Sequence, residues 1–111
     1  MKTLLHKDID SFLQRFVSFE DAEFRSLEII SPTNIKLTFA TQDSARGYDW
    51  ITVSLEFFDI TKASLVDDTR LNLVDLSDGV SLDFTTNYIF KIKNATFFIE
   101  AQSLKYEEGL F

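Results

Sequence analysis

The first twenty residues carry apolar side chains at the spacing of an α-helix. The apolar positions recur every three or four residues at Leu5, Ile9, Phe12, Leu13, Phe16 and Val17. The positions between them are polar or charged, among them Lys7, Asp8 and Arg15. This pattern predicts an amphipathic helix over about residues 3–18, with its apolar side packed on the rest of the domain.

Beyond residue 20 apolar and polar side chains alternate, which is the pattern of β-strands. The alternation predicts strands at about 23–30, 35–40, 48–58, 80–84, 88–93 and 95–104, with a short additional strand at about 62–66. Turn residues such as Pro32 and the pair Asp78-Gly79 lie between strands, and residues 105–111 are predicted to be a charged tail.

Strands joined by short turns pair antiparallel, because a parallel pair needs a long crossover. We therefore predict a single α+β domain over residues 1–111, in which one N-terminal helix packs on a mostly antiparallel β-meander of six or seven strands. The meander could form a curved sheet, a sandwich or a partial barrel.

Two adjacent phenylalanine pairs, Phe57-Phe58 and Phe97-Phe98, fall inside predicted strands. Neighbouring side chains on a strand point to opposite faces of the sheet. The pairs therefore indicate that both faces avoid water at these points. The second face would be covered by a folded-over sheet or by another copy of the protein.

Composition limits the chemistry that this chain can perform. Of 111 residues, 12 are phenylalanine, one is histidine and none is cysteine, and the net charge is −7. The lack of cysteine removes disulfides and thiolate ligands and fits a reducing compartment, so we expect a cytoplasmic protein. An acidic surface argues against nucleic acid and anionic membranes but suits a basic protein partner, although solubility alone explains most of these charges.

No catalytic or cofactor motif is apparent. His6 lacks a nucleophile motif to serve, and the three glycines are too dispersed to form a phosphate-binding loop. The acidic stretch from Asp67 fails the calcium-loop pattern, because Thr69 and Asn72 occupy the third and sixth positions. We expect neither an enzyme nor a metal or cofactor site. No apolar run has the roughly 18 residues that a membrane helix needs.

A small non-catalytic protein-binding module is the leading hypothesis, by analogy with acidic inhibitors and bacterial immunity proteins that neutralise a basic partner. Two sets of residues are candidates for the binding surface. The first is an acidic set, Asp67, Asp68, Asp75 and Asp78, and the second is Tyr48, Asp49 and Trp50. The plain alternatives are solvated loop charges for the first set and strand-end packing for the second.

Two other functions remain open. One is a carrier or sensor of a small apolar ligand, with a pocket lined by Phe39, Phe57, Phe84, Phe90 and Phe97. The other is a homodimeric or larger structural assembly that buries Trp50, Phe58 and Phe98 against another copy. Lys91 and Lys93 are predicted on the strand face opposite Tyr88 and Phe90, which separates the cations from those aromatic rings and argues against nucleic-acid binding.

Overall fold

The computed structural model, which describes Met1–Phe111, has one α-helix and one antiparallel sheet of seven strands. The helix is α1 (Ile9–Arg15). The strands are β1 (Lys2–Thr3), β2 (Glu23–Ser31), β3 (Asn34–Asp43), β4 (Asp49–Ser64), β5 (Val80–Phe84), β6 (Tyr88–Ile92) and β7 (Phe98–Leu110). The predicted α+β class, with a helix on an antiparallel sheet of six or seven strands, is confirmed.

The sheet is an open one, made of two meanders placed side by side. Its strand order is β2-β3-β4-β7-β6-β5, and β1 pairs with β7 next to β6. The first meander is β2-β3-β4 and the second is β5-β6-β7, and the connection 65–79 joins them. That connection contains a 3-10 helix, Asp68–Leu73. The two longest strands, β4 and β7, form the centre, and β2 and β5 are the edges.

The N-terminal helix is shorter than its apolar pattern predicts. Residues 2–3 are extended as β1, and the amide of Leu4 donates to the carbonyl of Leu104 in β7. A 3-10 turn over His6–Asp8 then leads into α1. After α1 the chain turns away through Val17 and Ser18, both at positive φ. Pairing with the edge of β7 thus replaces the first helical turn, while Ile9, Phe12 and Phe16 still pack into the core.

Phenylalanine rings pack against one another between the helix and the inner face of the sheet. Phe24 and Phe39 have ring centroids 4.6 Å apart, and Phe57 and Phe90 have theirs 5.5 Å apart. The core also takes residues from the connection 65–79, namely Leu71 and Leu76. One continuous core therefore includes the helix, both meanders and the connection between them.

A bulge interrupts the regular pairing of β4 near Asp59. Asp59 has a φ of +55°, and the pairing with β7 shifts register between Ile60 and Lys62. Phe57 and Ile60, three residues apart, both pack on the core, so the alternation of faces is interrupted here. The separate strand predicted at 62–66 does not form: residues 62–64 are the far end of β4, which continues its pairing with β7, and residues 65–66 begin the connection.

Two further predictions of local structure need correction. Most of the predicted tail is strand, since β7 continues to Leu110 beside β4. The pair Asp78-Gly79 turns the chain into β5 and does not close a hairpin. Gly79 has a φ of +72°, and a Cβ there would lie 2.2 Å from the carbonyl oxygen of Ser18, so only glycine fits this contact.

The outer face of the sheet is covered by its own long side chains. Lys36 donates to Glu107 at 3.3 Å, and the hydroxyls of Thr38 and Ser54 are 2.9 Å apart. The ammonium of Lys105 lies 5.3 Å from the centroid of the Phe58 ring. Within the chain, no second sheet covers this face. The helices in the fold all lack the combination of length and apolar character that crossing a membrane requires.

Candidate functional site

The free edge of β2 borders a groove with an apolar floor and an acidic rim. The groove lies between β2 and the connection 65–79 and has a volume of about 380 Å³. We call it the acidic groove, and its lining is Leu27, Ile29, Leu65, Val66, Asp67 and Asp68. Ile29 is 61 % exposed, which is unusual for a large aliphatic side chain in a sheet. One exposed apolar side chain and three half-buried ones thus share a groove with two carboxylates.

A second cleft continues along the same edge. It has a volume of about 340 Å³ and also lies between β2 and the connection 65–79. Glu23 and Arg25 line it on the side of β2, and Asn72 and Val74 line it on the other side. The cleft therefore extends the edge surface from the acidic groove towards Arg25.

Arg25 leads to a cluster of exposed aromatic rings on the outer face. Its guanidinium lies 4.8 Å from the centroid of the Phe111 ring, and that ring lies 5.8 Å from the ring of Trp50. We call Arg25, Trp50 and Phe111 the aromatic patch. Trp50 is 39 % exposed and Phe111 is 60 % exposed. Glu23, which accepts a hydrogen bond from Arg25 at 3.1 Å, adds a carboxylate beside it.

The predicted set Tyr48, Asp49 and Trp50 lies at the start of β4, next to this patch. Tyr48 is 56 % exposed and has a φ of +65°. Its carbonyl accepts a hydrogen bond from the side-chain amide of Gln42, which holds the turn into β4. Asp49 is exposed as well. Sequence reasoning identified Trp50 but missed Arg25 and Phe111, because their proximity depends on how β2 and β7 are placed around β4.

The predicted acidic set divides into two pairs. Asp67 accepts hydrogen bonds from the backbone amide of Thr69 at 3.0 Å and from its hydroxyl at 2.9 Å. These bonds lower the pKa of Asp67, so the rim of the acidic groove carries a firmly ionised carboxylate. Asp68 follows it in the same rim.

Asp75 and Asp78 belong to a separate turn. The side-chain amide of Asn94 donates to Asp78 at 2.7 Å and to Asp75 at 3.4 Å. Hydrogen bonds from Ser77 lower the pKa of Asp75. Nowhere in the fold do three His, Cys, Asp or Glu side chains gather so that they could coordinate a metal ion. Asp75 and Asp78 therefore hold a turn, whereas Asp67 and Asp68 border a groove.

A partly buried ion network around Asp43 is the strongest electrostatic feature that the sequence did not reveal. Asp43 is fully buried at the end of β3 and accepts two hydrogen bonds from Arg15, at 3.0 and 2.8 Å. Arg15 also donates twice to Glu108 in β7, at 2.9 and 2.7 Å. The Arg15 guanidinium holds the pKa of Asp43 below its usual range, and the two carboxylates raise the pKa of Arg15. The network joins α1 to β3 and β7.

The other residues considered in the sequence analysis, His6 and the phenylalanines predicted to line a ligand pocket, pack against other side chains of the fold. The ring of His6 stacks on Phe84 with centroids 4.6 Å apart. Of the residues predicted to line a ligand pocket, four are fully buried and packed in the aromatic core, and Phe84 is half-buried beside Tyr88. The four buried ones are Phe39, Phe57, Phe90 and Phe97. Their rings contact one another, as in a filled core.

Comparison with known proteins does not extend this picture. The chain matches no protein-family model, no curated protein and no solved structure. Function must therefore be inferred from the surface of this chain itself.

Proposed function

We propose that this protein is a small non-catalytic module that binds a basic protein partner through the edge of β2. The observation that carries the proposal is the acidic groove, where the exposed side chain of Ile29 and half-buried apolar neighbours line the same depression as Asp67 and Asp68. A partner segment with apolar and Lys or Arg side chains complements both properties. The net charge of −7 adds a general attraction for such a partner.

The edge of β2 offers backbone groups in addition to side chains. β2 pairs with β3 on one side only, and the connection 65–79 borders its other side without forming backbone hydrogen bonds to it. Ile29 and Ile30 are both exposed near its end. An extended partner segment can add to such an edge by main-chain hydrogen bonds and place its side chains in adjacent grooves.

The aromatic patch supplies the second part of the binding surface. Tryptophan, tyrosine and arginine are the residues most often found to dominate binding energy at protein interfaces. Trp50 and Arg25 meet around the ring of Phe111, and Tyr48 is exposed nearby in the chain. The cleft between β2 and the connection 65–79 links this patch to the acidic groove, so both can contact one partner.

A non-catalytic role is supported by the state of the carboxylates. A general acid at neutral pH needs a raised pKa. The pKa values of Asp43, Asp67 and Asp75 are lowered by structural hydrogen-bond partners, so these three carboxylates are not suited to act as a general acid. The absence of cysteine supports a cytoplasmic location as part of the same proposal.

The proposal is tested by capturing partners from the lysate of the native host at low and then moderate salt. The captured protein is purified and its association and dissociation rates are measured against variants. The double variant Asp67→Asn/Asp68→Asn keeps the turn cap but removes two charges, and we expect slower association with a flatter salt dependence. Trp50→Ala is expected to weaken binding by about 30-fold, chiefly through faster dissociation.

The matched control is Asp10→Asn/Asp83→Asn, which removes two exposed charges away from the β2 edge. It should slow association much less than the groove variant does. If both double variants slowed association equally, the effect would come from net charge and not from the acidic groove, and the proposed site would be contradicted. Recovery of the protein alone, as a dimer, would replace the proposal with the homo-oligomeric alternative.

A further inference from the structure

A further surface cavity has a charge opposite to that of the acidic groove, although Ser64 in its lining directly precedes Leu65 of that groove. It lies on the outer face where β5, β6, β7 and β4 run side by side, and its volume is about 480 Å³. We call it the lysine cavity. The residues that give it chemical character are Ser64, Ser81, Lys91, Lys93, Thr96 and Phe98.

Strand register brings four of these residues into one row. Ser81 is paired with Lys91, Lys91 with Phe98, and Phe98 with Ser64. The phenyl ring is thus flanked on one side by an ammonium group and on the other by a hydroxyl. Sequence reasoning separated the lysines from the aromatic residues of their own strand, but β7 supplies Phe98 to the lysine face.

The lysine cavity is lined by positively charged side chains, although the protein as a whole has a net charge of −7. No Asp or Glu lines it, although the chain has 18 of them. Neither Lys91 nor Lys93 forms an ion pair with a carboxylate of the chain. Two unpaired ammonium groups beside three hydroxyls make a site that favours an anionic group.

The apolar part of the cavity favours a flat ligand body. Phe98 is half-buried, so part of its ring is open to the cavity, whereas its neighbour Phe97 is fully buried in the core. An aromatic ring can pack on the exposed part of Phe98 at a favourable offset. The volume falls within the range of roughly 300–1,000 Å³ that small-molecule sites occupy.

We propose that the lysine cavity binds a small organic anion with a planar apolar body, the anionic group meeting Lys91 and Lys93 and the body packing on Phe98. This site shares no lining residue with the acidic groove or the aromatic patch, so variants of Lys91 and Lys93 test it without altering the residues of either surface. The head group can be a carboxylate or a phosphate, since both suit ammonium and hydroxyl donors.

The test is a titration of the isotopically labelled protein with naphthalene-2-carboxylate, followed by backbone amide NMR shifts. We expect saturable shifts at Lys91, Lys93, Thr96 and Phe98. The neutral analogue naphthalene-2-carboxamide should bind at least about fivefold more weakly, since it loses the charge-assisted contacts. Naphthyl phosphate distinguishes the head groups, because tighter binding than the carboxylate would assign the site to a phosphate.

Lysine-to-glutamine variants separate the contribution of charge to ligand binding from the contribution of ligand shape. Lys91→Gln/Lys93→Gln should weaken binding of the carboxylate by about tenfold and leave binding of the carboxamide unchanged. Lys62→Gln removes an exposed lysine of β4 that does not line the cavity, and it should change neither. Equal affinity for carboxylate and carboxamide, shifts confined to other residues, or tighter binding of an oligothymidylate than of any small anion would overturn the proposal.

Discussion

The two faces of the sheet use phenylalanine in different ways. In each Phe-Phe pair the first ring is fully buried, as Phe57 and Phe97 show, and the second, Phe58 or Phe98, is half-buried on the outer face. The buried rings pack on other phenylalanines, whereas Phe58 lies against the ammonium end of Lys105. Adjacent aromatic residues therefore do not require a second layer, because a lysine side chain can cover one ring while its charge stays in water.

The largest expected difference between the faces is in the cost of removing a ring. Phe57→Ala should lower the free energy of unfolding by about 3–5 kcal/mol, since it leaves a cavity in a packed core. Phe58→Ala should cost about 1 kcal/mol, because its ring is already partly in water. Denaturant titration of both variants measures the two values. Similar losses would show that the outer ring is covered in solution, which would favour assembly with another copy.

Removing a buried charge should likewise lower the free energy of unfolding more than removing an exposed one. Asp43→Asn keeps the shape of a buried side chain but removes the charge that Arg15 binds, and we expect it to lower the free energy of unfolding by about 1.5–3 kcal/mol at neutral pH. The residual bonds of Arg15 to Glu108 keep the loss from being greater. The same denaturant titration measures it. A negligible loss would mean that the ion network around Asp43 contributes nothing to stability.

Acidification should remove this stabilisation. The pKa of Asp43 is lowered in the folded protein, so its contribution is complete above the unfolded pKa of about 3.9 and is lost as the pH falls through the folded pKa. The stability gap between the natural protein and Asp43→Asn should therefore narrow below about pH 4. Asp67 and Asp75 change in the same direction in both proteins, so the difference isolates Asp43. A gap that widens on acidification would contradict the assignment.

The smallest effect is expected on the outer face. Lys36 and Glu107 form an ion pair at 3.3 Å across the sheet, and Glu107 is well exposed. A double-mutant cycle with Lys36→Gln and Glu107→Gln should give a coupling of about 0.2–1 kcal/mol that shrinks as salt is added. A coupling as large as the loss from Asp43→Asn would mean that the outer face is shielded from solvent.

Much of the fold could be predicted because period and turn chemistry are local. The alternation around Pro32 predicts the hairpin of β2 and β3, and the structure pairs Leu27 with Leu37 in that hairpin. The helix predicted over about residues 3–18 begins too early. The first residues continue the helical spacing of apolar side chains, yet the backbone of β1 pairs with β7, a strand from the other end of the chain.

The candidate site was harder to predict because it depends on tertiary placement. Asp67 and Asp68 were identified by their charge, but the apolar floor beside them combines Leu27 and Ile29 of β2 with Leu65 and Val66. Nothing local indicates that residues so far apart in sequence line one groove. The burial of Asp43 is not predictable locally for the same reason, since its partner Arg15 lies in α1, on the polar side of the amphipathic pattern.

The pairing of β4 with β7 has a consequence for how the chain folds. Each meander can form from neighbouring segments, but the central pair joins Ile51 to Leu110 and requires both meanders to be present. Such distant pairing is slow, and we expect folding on the scale of milliseconds to seconds. Until it occurs, β4 and β7 each present a long unpaired edge, so the nascent protein is most exposed to aggregation just before its two halves meet.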